Sequence, residues 1–143
     1  MREVDLDRLR AKIKEHEGLR LMPYDDSLGR ITIGYGRCLE TRGITMAEAE
    51  AMFETDVADA VEGAKRQVSG QTWLKMGEVR REVLSEMVFQ LGTAGVSAFR
   101  RMLDALDQED WYVASLEMTD SRWHKQTPNR AEELAKRMHE GTP

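Results

Sequence analysis

From Met46 to Val68 the apolar residues Met46, Ala49, Phe53, Val57, Ala60 or Val61, Ala64 and Val68 recur at helical spacing. One continuous stripe of this kind predicts a helix of more than twenty residues. Thr45 with Glu48 forms a capping box that marks its start. A helix of twenty residues is about 30 Å long, enough to join two lobes. A chain of 143 residues built around it has room for one domain with two lobes, not for two independent domains. The solvated side of the stripe is acidic. Residues 40–62 hold Glu40, Glu48, Glu50, Glu54, Asp56, Asp59 and Glu62 against Arg42 alone, which exceeds the formal net charge of −5 of the whole chain. The acidity therefore belongs largely to one solvated face of this helix. It offers no basic surface for phosphates, so nucleic acid is not expected as a partner.

Before this helix the pattern changes twice. Leu6, Leu9 and Ile13 share one helical stripe with Glu17, Asp5 or Asp7 is placed to cap it, and Gly18 to end it. Pro23, Asp25-Asp26-Ser27 and Gly29 are turn residues, and Ile31, Ile33 and Tyr35 then alternate with Thr32 and Gly34. This predicts a hairpin over 22–26 and 30–35, with a short third strand near Cys38 to Glu40. Alternation turns Thr32 outward and Ile31 and Ile33 inward.

After the long helix come a helix over 78–91 ended by Gly92, short helices over 97–106 and 108–118, and a last helix with Thr127 as N-cap and Pro128 in its first turn. Val79, Val83, Leu84, Met87, Val88 and Leu91 are the inward residues of the helix over 78–91. The nine methionines fall mostly at core spacing. The fold class is α+β, mostly helical.

Several chemistries are not supported. Cys38 is the only cysteine, and His16, His124 and His139 form no ligand pair. Gly34-Tyr35-Gly36 lacks the third glycine of a phosphate loop. Neither a metal nor a cofactor is expected. No apolar run is long enough to span a bilayer and the start MREVDLDRLR has no secretory character. A monomer made in the cytoplasm is expected, without stable membrane insertion.

Two carboxyl groups attract notice. Glu17 ends a mostly apolar stripe, where desolvation disfavours the charged form and suits a general acid; a surface carboxylate fits the same spacing. Asp26 lies in a polar turn, where backbone N–H groups and water keep a carboxylate ionised, and turn chemistry alone also explains it. Carboxyls in opposed environments are what glycoside hydrolysis uses.

Glu17, Asp26 and Thr32, with eight and five residues between them, resemble the catalytic triad of the phage-type lysozymes. The segments Met87-Val88-Phe89-Gln90-Leu91-Gly92, Gly95-Val96 with Phe99, Ser121 to Arg130, and Ile44 to Val57 resemble signature segments of the same family in the same order. The resemblance implies a bilobal lysozyme-like fold. A small β-hairpin lobe, about residues 14–58, would be joined by the long helix to a helical lobe, about 59–143 plus the N-terminal helix, the whole chain forming one catalytic domain.

The resemblance further implies a muramidase that hydrolyses the β-1,4 bond between N-acetylmuramic acid and N-acetylglucosamine in peptidoglycan. Glu17 would be the general acid, with Asp26 and Thr32 positioning and activating the attacking water. Arg130 resembles the arginine that pairs with the catalytic glutamate. Gln90, Phe99 and Tyr35 are candidates for substrate contact, with packing as the alternative for each. Trp73, Trp111 and Trp123 could stack on sugar rings, with core or lobe packing the favoured reading for each. Acting on the wall would require release by a separate membrane-disrupting protein. The stretch from Gly36 to Gly43 is short for the family, and Arg37 stands where the family often has histidine. Two other readings stay open: a lytic transglycosylase, and a catalytically silent glycan-binding or virion structural protein.

Overall fold

Helix α1 (Leu6–Glu17) starts where the Arg8 N–H donates to the Asp5 carboxylate at 3.1 Å. It stops at Gly18, whose φ of 71° and ψ of 172° only glycine adopts readily. The computed structural model describes residues 3–143, and they fall into two units, one ending at Glu50 and the other beginning at Ala51.

The first unit continues with strands β1 (Arg20–Asp25), β2 (Ile31–Gly34) and β3 (Arg37–Cys38), antiparallel and in that spatial order. The predicted hairpin is present. Its pairing is irregular between Arg20 and Tyr24, where Pro23, on an edge strand, has no N–H to donate. The register sets Thr32 opposite both Tyr24 and Cys38, so these three side chains share one face.

Two expectations are corrected here. Thr32 is the covered residue, 3% exposed, whereas Ile31 is 44% exposed and Ile33 half-buried. The Thr32 hydroxyl tolerates burial because it donates to the Arg30 carbonyl at 2.9 Å. The third strand does not reach Glu40: α2 (Leu39–Arg42) is a single helical turn, closed by the Gly43 N–H on the Leu39 carbonyl at 2.9 Å.

Helix α3 (Met46–Lys65) begins in the first unit and runs into the second. Its capping box is formed in both directions. The Glu48 N–H donates to Thr45 Oγ1 at 3.2 Å and the Thr45 N–H to Glu48 Oε1 at 2.8 Å. The helix has 20 residues and stops before Val68, which packs on the core from the following loop.

The second unit holds the hydrophobic core. α4 (Gly70–Ser97) is broken at Gly77 and Gly92, both near φ 76° with extended ψ. The segment 78–91 is the predicted helix and Gly92 its predicted end. The preceding segment 70–76, capped by Ser69 accepting from the Thr72 N–H at 3.1 Å, was not anticipated. α5 (Arg100–Asp107), α6 (Trp111–Thr119), α7 (Arg122–Gln126) and α8 (Pro128–Glu140) follow. Val83, Leu84, Met87 and Val88 of α4 are buried with Ala60 and Ala64 of α3, Met102 and Leu106 of α5, Met118 of α6, and Leu134 and Met138 of α8. Five methionines serve this core (Met76, Met87, Met102, Met118, Met138), while Met22, Met46 and Met52 are exposed.

Thr127 precedes Pro128 as predicted but makes no side-chain cap. Its hydroxyl donates instead to the Trp123 carbonyl at 3.1 Å, at the end of α7. Among the described residues no helix is long and apolar enough to cross a membrane.

Candidate active site

Glu17, Asp26, Thr32 and Tyr35 all belong to the first unit. Glu17 is the last residue of α1, and Gly18 directs the chain into β1 directly after it. Glu17 is exposed, on a helix that buries none of its residues, so the expected desolvation by an apolar stripe is not found and the surface reading of its environment holds. Its carboxyl group lies against Gly36 of the two-residue turn between β2 and β3. The same end of α1 is held to that turn a second time, with Lys14 Nζ 5.1 Å from the centre of the Tyr35 ring. Tyr35 is itself exposed, one residue from the glycine that carries Glu17.

Asp26 opens the turn between β1 and β2. Its Oδ1 accepts from the Arg30 N–H and the Leu28 N–H, each at 2.8 Å, and its own N–H donates to the Arg30 carbonyl at 2.9 Å. Arg30 Nε lies 3.4 Å from the other carboxylate oxygen. The Arg30 N–H, with the Leu28 N–H and the Arg30 guanidinium adding to it, draws the Asp26 pKa below the ordinary carboxylate value, against a smaller desolvation effect. Asp26 is thus held as an anion. Arg30 also lends its carbonyl to the Thr32 hydroxyl, so one residue orients both Asp26 and Thr32. A hydroxyl committed as donor keeps lone pairs that accept.

Arg37, in place of the expected histidine, joins β3 to the start of α3 by pairing with Glu48. That bond, followed by those from Thr45, lowers the Glu48 pKa to about 2.

Gln90, Phe99 and Arg130 belong to the second unit. Gln90 Oε1 accepts from the Trp123 indole N–H at 2.9 Å, and Phe99 meets Trp123 edge-on, ring centres 6.0 Å apart at 81°. Trp123, buried as expected, therefore links both substrate-contact candidates. Since an indole N–H only donates, the Gln90 carbonyl is fixed toward Trp123 and its amide nitrogen faces away. Phe99 and Trp123 line a cavity of about 710 Å³ together with Arg100, Arg101 and Arg122. Arg130 Nε donates to Glu86 Oε2 at 2.8 Å.

Sequence reasoning missed Gly36 as a neighbour of Glu17, Glu86 as the partner of Arg130, and the Trp123–Gln90 bond. Only the positive φ required in a two-residue turn between strands hinted at the first. Among the described residues no group of histidine, cysteine, aspartate and glutamate is arranged to hold a metal ion.

Residues 14–140 match the family model described as phage lysozyme. The chain is 29% identical over 161 residues to probable T4-type lysozyme 1 of Dictyostelium discoideum, covering 94% of this chain and 95% of that one. It is 28% identical over 120 residues to an endolysin of Acyrthosiphon pisum secondary endosymbiont phage 1, covering 82% and 77%. It is also 34% identical over 145 residues to the pre-baseplate central spike protein Gp5 of Enterobacteria phage T4. There the match covers 83% of this chain but spans only 25% of the larger protein.

Proposed function

The chain belongs to the phage lysozyme family and is a glycoside hydrolase of lysozyme type, and from that premise we propose a specific bond and a division of labour. The substrate is bacterial peptidoglycan and the bond is the β-1,4 link between N-acetylmuramic acid and N-acetylglucosamine. Glu17 gives its proton to the leaving sugar oxygen as the glycosidic bond breaks. Asp26 accepts a hydrogen bond from a water on the opposite face of the sugar ring and draws off its proton as the water oxygen joins the anomeric carbon. Thr32 offers a lone pair that holds the same water. The product is the inverted sugar. Tyr35, Gln90 and Phe99 contact the glycan, the Gln90 amide nitrogen donating to a sugar oxygen.

The observation that carries this reading is the Asp26 turn. A general base must be ionised before the water arrives, and two backbone N–H groups with one guanidinium favour that state. The enzyme would reach the wall after release by a separate membrane-disrupting protein.

The test is digestion of purified wall by the wild type and Glu17→Gln, with product masses. Hydrolysis adds one water per cut, whereas a lytic transglycosylase yields anhydro products lighter by that mass. Glu17→Gln should fold and be inactive; a folded variant with near-normal turnover would sink the assignment. Similarity to the T4 pre-baseplate central spike protein favours a second reading, a virion structural protein. Absence of wall lysis by the wild type on outer-membrane-permeabilised cells would select it.

A further inference from the structure

Gly36 carries two separate demands. Its φ is 82°, a left-handed value that the turn between β2 and β3 requires. In addition, a Cβ at this position would lie 2.6 Å from Glu17 Oε2 and 3.1 Å from Glu17 Cδ. Neighbouring Gly34 meets only the first demand: its φ is 70°, yet nothing lies within 4 Å of where its Cβ would stand. The two glycines sit on either side of Tyr35 in one hairpin and separate backbone need from space.

We infer that Gly36 is a positioning residue for Glu17: its missing side chain is the seat on which the carboxyl of the proposed general acid rests. The inference depends on that reading of Glu17. The atom in the way is the end of a flexible side chain, so a Cβ at residue 36 displaces the carboxyl at little cost to the fold. The loss therefore falls on chemistry, because a reacting group moved by about 1 Å costs on the order of 10²-fold in rate. Lys14 Nζ, 5.1 Å from the centre of the Tyr35 ring, is a second contact between the same two segments that does not involve the Glu17 carboxyl.

Asparagine brings a Cβ and tolerates positive φ better than other residues, so Gly36→Asn and Gly34→Asn form the test pair. Both are assayed on purified glycan strands for kcat and KM, with unfolding followed by circular dichroism. Gly36→Asn should lose about 10²-fold in kcat with KM within threefold of wild type. Gly34→Asn should keep kcat within about threefold. Glu17→Asp, one methylene shorter, should reduce kcat less in the Gly36→Asn background than in the wild type, because it vacates the contested space.

A folded Gly36→Asn with near-normal kcat, an effect on KM alone, or equal losses at both glycines overturns the inference. If Gly36→Asn does not fold, it is remade with Glu17→Ala. Recovered folding supports the contact, and continued failure shows that the glycine serves the backbone alone. Glu17→Gln run in parallel keeps the two ideas apart. Activity in that variant refutes the acid, while its inactivity beside an active Gly36→Asn refutes the seat.

Discussion

Replacing Trp123 with phenylalanine isolates one hydrogen bond at the candidate glycan-contact site. The ring remains aromatic and can still meet Phe99, but the donor to Gln90 Oε1 disappears. That acceptor is half-buried, and stranding it costs about 1–2 kcal/mol, the lower part of the range for a lost partner. The smaller ring leaves space in a residue only 4% exposed, for about 1 kcal/mol more. The sum is roughly 2–3 kcal/mol, or a fall in Tm of about 5–10 °C in a chain of this size.

A cycle with Gln90→Leu separates the two contributions. Gln90→Leu alone strands the indole N–H, whereas the double variant leaves neither partner unmatched. The two substitutions should therefore be less than additive by about 1–2 kcal/mol in denaturant unfolding. Trp123→Phe should also raise KM for glycan strands several-fold with little change in kcat, since it frees the Gln90 amide to rotate. Additivity within about 0.3 kcal/mol would refute the bond as the source of the effect. An unchanged KM would remove Gln90 from glycan contact.

Glu48 has its pKa lowered to about 2 by Arg37 and Thr45, so the folded form binds its proton more weakly than the unfolded chain, with its value near 4.5. Its contribution is present above pH 4.5 and is lost as pH falls toward 2. Glu48→Gln should flatten the fall in Tm across that window. Gly141→Ala should destabilise the C-terminal end by about 3 kcal/mol: φ is 68°, and a Cβ would sit 2.8 Å from the Arg80 guanidinium that bonds the Met138 and His139 carbonyls. In an Arg80→Ala background the same change should cost only about 1 kcal/mol, the backbone part, and an equal cost in both backgrounds would refute the contact.

What could be read from the chain follows the range of each interaction. Thr45 and Glu48, three positions apart, close their capping box as predicted because both partners lie in one turn of backbone. Gly92 ends its segment and Pro128 starts α8 for the same local reason. Asp26 held by the N–H groups of Leu28 and Arg30 is another local result. Alternation over 31–35 was also legible, but it states only that two faces exist. Which face is covered depends on Tyr24 and Cys38 pairing with Thr32, and on Arg30 satisfying the hydroxyl, neither of which alternation contains. The segment 70–76 is not legible because its seven residues are too few to display an apolar stripe of helical period.

The remaining gaps lie between residues far apart in the chain: Arg130 with Glu86, Trp123 with Gln90, Glu17 with Gly36. None leaves a periodic trace, because each needs one matched pair and not a repeating face. A candidate carboxyl can thus be picked out by its type and spacing, whereas the surface it lies against emerges only once distant segments meet. In this chain that surface is backbone. A glycine with nothing to contribute but space is the kind of residue that spacing and composition pass over.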